Sequence, residues 1–111
     1  MAGKWTTTSV FRLGEIPLGV AGVYVIYDES DVPFYVGSSL CLHSRIRSHV
    51  RPRGIYKVDE RRLRVCHRAA YIKWRKSSKR GEHLMGEFRL IVRLRPDENR
   101  MHANHARKAV R

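Results

Sequence analysis

Residues 22–39, GVYVIYDESDVPFYVGSS, decide how this chain folds. Two hydrophobic runs, from Val20 to Tyr27 and from Phe34 to Gly37, flank the polar link DESDVP at 28–33. Both runs are rich in Val, Ile, Phe and Tyr, so both read as strands. The turn-forming link makes them a hairpin with a rather long loop. Alternation puts Tyr24 and Ile26 on one face of the first strand and Val23, Val25 and Tyr27 on the other. Each run sets a tyrosine beside a valine and a glycine. Tyrosine is an ordinary strand residue, so this pairing alone does not separate packing from chemistry.

Working outward, Ser38 or Ser39 can cap a helix that runs to about Val50. Its apolar stripe is Leu42, Ile46 and Val50. One position earlier lie Cys41, Arg45 and His49, and residues four apart on a helix are neighbours, so Arg45 and His49 can act on one object. Pro52 and Gly54 predict a loop. Residues 59–67 read equally as helix or irregular chain. The run AAYIKW at 69–74 is a third strand, and Ser77 to Gly81 breaks the chain again. Helical periodicity then holds over 82–95, and Pro96 ends it. Residues 1–18 read as an irregular arm, in which Pro17 discourages helix. The basic tail 100–111 is either a short helix or a disordered arm. The fold class is therefore α/β (α+β), a small three-stranded antiparallel sheet flanked by helices. It forms one domain over residues 1–111, with a core at about 20–100.

The last helix contains an anomaly. At about 100° per residue, Leu84, Phe88, Ile91 and Leu94 share an arc, and Glu87 falls between Leu94 and Ile91. Arg89 and Arg93 lie on the far side. A carboxylate on an apolar arc needs an arginine, hydrogen bonds, a metal or an open cleft. The plain alternative is a solvated position at the edge of the buried face.

Charge narrows the partners. Lys and Arg number 23 against 10 Asp and Glu, a net charge of +13. Between residues 45 and 80 the cations face only Asp59 and Glu60. Arginine outnumbers lysine there and suits phosphate geometry, so the field points to nucleic acid. Arg47, Arg51, Arg53, Lys73, Arg75 and Lys76 are the candidate backbone contacts. Nothing resembles a membrane span of about 18 apolar residues, and MAGKWTTTSV at the N-terminus has no apolar signal core. With Cys41 and Cys66 read as reduced thiols, a cytoplasmic protein of a bacterium or a phage-infected cell is expected. His102, His105 and the Cys66-His67 pair do not make a four-ligand zinc pattern.

Taken together, the motifs resemble the GIY-YIG nuclease superfamily. GVY at 22–24 and YVG at 35–37 fill its two name-giving positions. In GSSLCLHSRIRSH an arginine falls eight residues after the motif glycine, at Arg45, and His49 follows one turn later. EFRLIVRLRPDEN supplies Glu87, then a proline nine residues on at Pro96, then Asn99 three further. The resemblance covers about residues 20–100.

The resemblance implies that both motif tyrosines point into a cleft between the arginine helix and the glutamate helix. It implies Mg²⁺- or Mn²⁺-dependent hydrolysis of a DNA phosphodiester. Glu87 is then the metal ligand and Arg45 stabilises the phosphate. Tyr24 or His49 is the general base, and Tyr35 positions water or phosphate. Gly22, Gly37 and Asn99 support the site, with Asn99 bracing the end of the glutamate helix. Many members carry a lysine three residues after the first tyrosine. Tyr27 stands there, so either a neighbouring cation replaces that lysine or this branch works without it. A non-catalytic nucleic-acid-binding module on the same fold is the second reading.

Overall fold

The computed structural model describes residues 4–51, 60–77 and 81–99. The elements run β1 (Thr6–Ser9), a 3₁₀ turn (Leu13–Glu15), β2 (Gly22–Tyr27), β3 (Pro33–Ser39), α1 (Leu42–Val50), α2 (Glu60–Arg68), β4 (Tyr71–Lys76) and α3 (Glu82–Leu94). β2, β3 and α3 fall where their residue patterns predict. The ambiguous 59–67 stretch is helical, as α2.

The sheet has four strands, not three, in the order β1-β4-β2-β3. The extra strand lies inside the arm expected to be irregular. Thr6, Thr7 and Thr8 are β-branched and suit a pleated edge. They pair antiparallel with β4, Thr6 opposite Trp74 and Thr8 opposite Ile72. The buried Trp74 indole Nε1–H donates to Thr8 Oγ1 at 2.9 Å, which fixes the register.

β2 is the centre of the sheet and pairs antiparallel with both β3 and β4. A bulge falls near the hairpin end: Ile26 pairs with Tyr35 and Tyr27 with Pro33, which leaves Phe34 as the extra residue. Neither Ser38 nor Ser39 caps α1 through its side chain. Both end β3, and Cys41 occupies the cap position without a side-chain hydrogen bond. Ser39 Oγ instead accepts from the Cys41 N–H at 3.0 Å and tightens the strand-to-helix turn.

Each sheet face has its own core. On one, Tyr24, Ile26, Ile72 and Trp74 pack with Leu42, Ile46 and Val50 of α1 and Val65 of α2. On the other, Val23, Val25 and Val36 pack against Leu90 of α3, with Ile91 and Leu94 partly buried beside them. α3 lies over β2 and β3. No helix among the described residues is long and apolar enough to cross a membrane.

Candidate active site

Tyr24 lies directly opposite Gly37 across the β2–β3 ladder. A Cβ on Gly37 would stand 2.3 Å from both Tyr24 Cζ and its hydroxyl oxygen. The tyrosine ring therefore crosses the neighbouring strand through the space that only glycine leaves. Gly22 has a similar reason: a Cβ there would meet the Arg75 carbonyl oxygen at 2.1 Å and Leu42 Cδ1 at 2.8 Å. Gly22 is thus a site of close backbone approach, and Gly37 one of close approach by a ring.

Around Tyr24 the predicted residues gather. The Tyr24 and Tyr35 rings are stacked with centroids 6.3 Å apart. His49, on α1, brings its ring to 4.8 Å from Tyr35 and 6.0 Å from Tyr24. Arg45, one turn before His49, is exposed. It lines an open cavity of about 530 Å³ with Ser38, Ser39, Cys41, Ser44 and Ser48. Glu87 approaches from α3 and accepts a hydrogen bond from Ser38 Oγ. Ser38 joins the glutamate and arginine sides of the cleft, a role its reading as a helix cap concealed.

The buried face of α3 is not the arc that periodicity suggested. His83 and Leu90 are buried, whereas Leu84 is 60% and Phe88 65% exposed. Glu87 lies on the packed side between them, partly buried. Its carboxylate faces the hydroxyl it requires.

The Asn99 side chain reaches β3, not the end of α3. The Val36 N–H donates to its Oδ1 at 2.7 Å, and its Nδ2 donates to the Val36 carbonyl at 2.9 Å. β3 is an edge strand, and this buried amide pairs with its outer side like another strand residue. It clamps the backbone between Tyr35 and Gly37.

Burial holds the Tyr24 hydroxyl well above the usual tyrosine range, and the neighbouring Tyr35 phenol adds to this; Arg45 pulls the other way and does not offset it. The hydroxyl oxygen is buried with no hydrogen-bond partner among the described residues. An unpaired buried hydroxyl is costly and suits a site completed by water or a ligand.

Other expected residues fall elsewhere. Tyr27 is on the opposite sheet face from Tyr24, stacked on Tyr71 at 4.8 Å with an interplanar angle of 3°. Lys73 Nζ stands 5.3 Å from the Tyr27 ring centre. The structure does not bring Tyr27 to the Tyr24–His49 cluster. Arg47 is exposed on α1, and Lys76 is exposed at the end of β4. Arg51 Nη2 donates to the Val10 carbonyl at 3.5 Å. Arg53 lies outside the described residues. The basic span is also less free than its composition suggested. Arg68 pairs with Asp97 at 2.7 Å and Asp28 at 3.1 Å, and Arg64 pairs with Glu98 at 3.3 Å.

A family model described as a UvrC-like GIY-YIG domain matches residues 20–100. The chain belongs to the UvrC-like GIY-YIG family. Among solved structures it is similar to the GIY-YIG N-terminal endonuclease domain of UvrC from Thermotoga maritima bound to its catalytic magnesium. The two share 24% identity and a TM-score of 0.64, over 79% of this chain and 96% of that one. A tyrosine-to-phenylalanine variant of that domain, bound to its catalytic divalent cation, gives 24% and 0.64 over 79% and 94%. An asparagine-to-alanine variant gives 22% and 0.63 over 78% and 93%. At these identities the likeness is one of fold. No curated protein sequence matches the chain.

The GIY-YIG cleft has a donor set that fits one kind of metal. No three His, Cys, Asp or Glu side chains gather among the described residues. Glu87, with the Ser38 hydroxyl beside it, is the carboxylate that would hold a cation here. Mg²⁺ suits such a site, because it keeps most of its waters and needs one or two carboxylates plus a substrate phosphate. The Tyr24 hydroxyl, buried without a hydrogen-bond partner among the described residues, feels the charges of both Arg45 and Glu87.

Proposed function

We propose that this protein is a metal-dependent DNA endonuclease that hydrolyses a phosphodiester in the Tyr24–Arg45–Glu87 cleft. The observation that carries this reading is one convergence. Two tyrosines and a histidine meet ring to ring, beside an exposed arginine and a carboxylate held by Ser38. These groups come from four elements, β2, β3, α1 and α3, and packing alone does not require them together.

Each group has work suited to its chemistry. Glu87 would hold Mg²⁺ or Mn²⁺, which would supply charge neutralisation at the reacting phosphate. The Arg45 guanidinium, exposed at the cleft, forms paired hydrogen bonds to the non-bridging oxygens, where charge builds in the transition state. Between the two candidate bases, burial favours His49. Tyr24 keeps its proton at neutral pH, because burial raises its pKa well above the usual tyrosine range. His49 accepts the proton of the attacking water. The Tyr24 hydroxyl and Tyr35 orient that water and the phosphate. Asn99 and Gly37 position these groups through the backbone.

The test is plasmid nicking by purified protein in Mg²⁺, Mn²⁺ and EDTA, beside Glu87→Ala. Nicking should require the metal and fall by roughly 10³-fold in the variant, the scale of losing a main source of transition-state charge stabilisation. Salt-dependent DNA binding without metal-dependent nicking of supercoiled, single-stranded or branched DNA would replace this reading with a binding module.

A further inference from the structure

The other flank of α3 is lined differently from the catalytic cleft. α3 covers β2 and β3 but leaves the β4–β1 side of the same sheet face open, and a trough runs between the helix and those strands. Two cavities adjoin there, of about 510 Å³ and about 230 Å³, and Trp5, Leu90 and Arg93 line both. Gly86 keeps the helix wall low: a Cβ added to it would sit 3.6 Å from the Arg75 guanidinium.

Cations and aromatic rings dominate the walls. Arg75, Arg89 and Arg93 line the larger cavity, and Lys73 and Tyr27 line the smaller one. The Arg75 guanidinium carbon stands 4.8 Å from the Trp5 ring centre. None of these four cations is in an ion pair among the described residues, unlike Arg64 and Arg68. The four cations around this depression outnumber the acidic lining and attract a polyanion. Glu82 lines the larger cavity as well. Its carboxylate repels phosphate, so a polyanion is drawn to the arginines away from it.

The rings narrow the polyanion to an unpaired strand. A duplex hides its base faces in its own stack, whereas single-stranded nucleic acid offers them to aromatic side chains along a basic groove. Trp5 is 39% exposed, enough to present its ring. We propose that the trough holds an unpaired stretch of DNA, with phosphates along Arg75, Arg89 and Arg93 and a base stacked on Trp5. This rests on the endonuclease reading for its consequence, that the favoured substrate carries a single-stranded arm beside the cleaved bond. The binding itself does not depend on cleavage.

The test titrates the full chain in EDTA with labelled oligothymidylate of about 15 nucleotides, the upper end of a single-strand site. Binding should quench tryptophan fluorescence, and Trp74 is 8% exposed, so the quench reports Trp5. The Arg89→Gln, Arg93→Gln double variant should bind about tenfold more weakly, with a salt slope shallower by about 1.4, the loss of two single-strand phosphate contacts. Trp5→Ala should lose the quench and about tenfold in affinity, the scale of one stacked base. Trp5→Phe should recover most of that affinity. Wild-type affinity in both variants, with unchanged circular dichroism, overturns the proposal. So does equal competition by duplex of the same length, which would make the trough a general backbone groove. If this binding holds but the plasmid is never nicked, the endonuclease reading fails and the trough stands. If nicking holds and the variants bind like wild type, the trough fails alone.

Discussion

The two flanks of α3 are built by different means. Toward β3 the helix presents Glu87 to Ser38, and the groups around them are held by backbone-level devices: a strand glycine, a buried amide clamp and a buried tyrosine. Toward β4 it presents Arg89 and Arg93 over a trough, and there the means are charge and exposed rings. The difference follows from the tasks. Transition-state groups must be held to fractions of an ångström, whereas phosphate contacts tolerate movement because they act largely through long-range charge. Substitutions on the first flank should therefore act all-or-none, and those on the second should be graded and sensitive to salt.

Gly37→Ala should give the largest effect. The new Cβ meets the end of the Tyr24 ring, and the ring has no free direction, because it is buried on every side. Overpacking of this kind costs about 1–3 kcal/mol, and the cleft loses its central hydroxyl. Thermal unfolding should shift downward, and nicking should fall to background. A Tyr24→Ala, Gly37→Ala double variant should lose less stability than the two single variants combined, because the new Cβ no longer meets a ring, and should stay inactive. If Gly37→Ala nicks like wild type, the backbone-level account of this flank is wrong.

Much of that flank was legible before any coordinates. The hairpin announces itself because β-branched and aromatic residues alternate over two short runs, and that signal is local. The Arg45–His49 spacing is local too, whereas the apolar arc of α3 misled, because Leu84 and Phe88 face solvent while His83 and Leu90 are buried. What escaped depends on partners far apart in the chain. β1 is four residues long and is stabilised by β4, more than 60 residues away. Ser38 reads as a helix cap until α3 brings Glu87 to it. Arg64 and Arg68 count as free cations until Glu98, Asp28 and Asp97 fold against them. The trough carries no motif at all. It exists because α3 covers half of one sheet face.

The choice between the two bases gives the next effect in size. His49→Ala and Tyr24→Phe should each slow nicking by about 10²–10⁴-fold, the range for positioned acid–base groups. Their pH profiles should differ. A base works in its deprotonated form, so the rate climbs as that group loses its proton and then levels. With Tyr24 in that role, its raised pKa would keep the rate climbing beyond pH 10. A profile that levels near neutrality in wild type and in Tyr24→Phe, and loses this limb in His49→Ala, assigns the proton to the imidazole. A wild-type profile still rising into the alkaline range would return the role to Tyr24.

The smallest effect separates arginines by use. Arg68 spends its charge inside the molecule, on Asp97 and Asp28 and over the Phe34 ring at 4.5 Å. It joins α2 to the hairpin loop and to the segment after α3. Asp28 also accepts from the Ser30 and Val32 N–H groups. These hydrogen bonds, the one from Val32 first, together with Arg68, hold its carboxyl below the usual carboxylate range. A lowered folded pKa means that the stabilising contribution is complete above the unfolded value, and that it disappears as pH falls through the folded one. Asp28→Asn should therefore melt below wild type at neutral pH, and the gap should narrow once pH falls below the unfolded aspartate value of about 3.9 and vanish below the lowered folded one. Single-strand affinity and its salt slope should stay at wild-type values, because neither Asp28 nor Arg68 lines the trough. A change in that slope would mean that the paired and unpaired arginines share one field, and the division between the flanks of α3 would have to be redrawn.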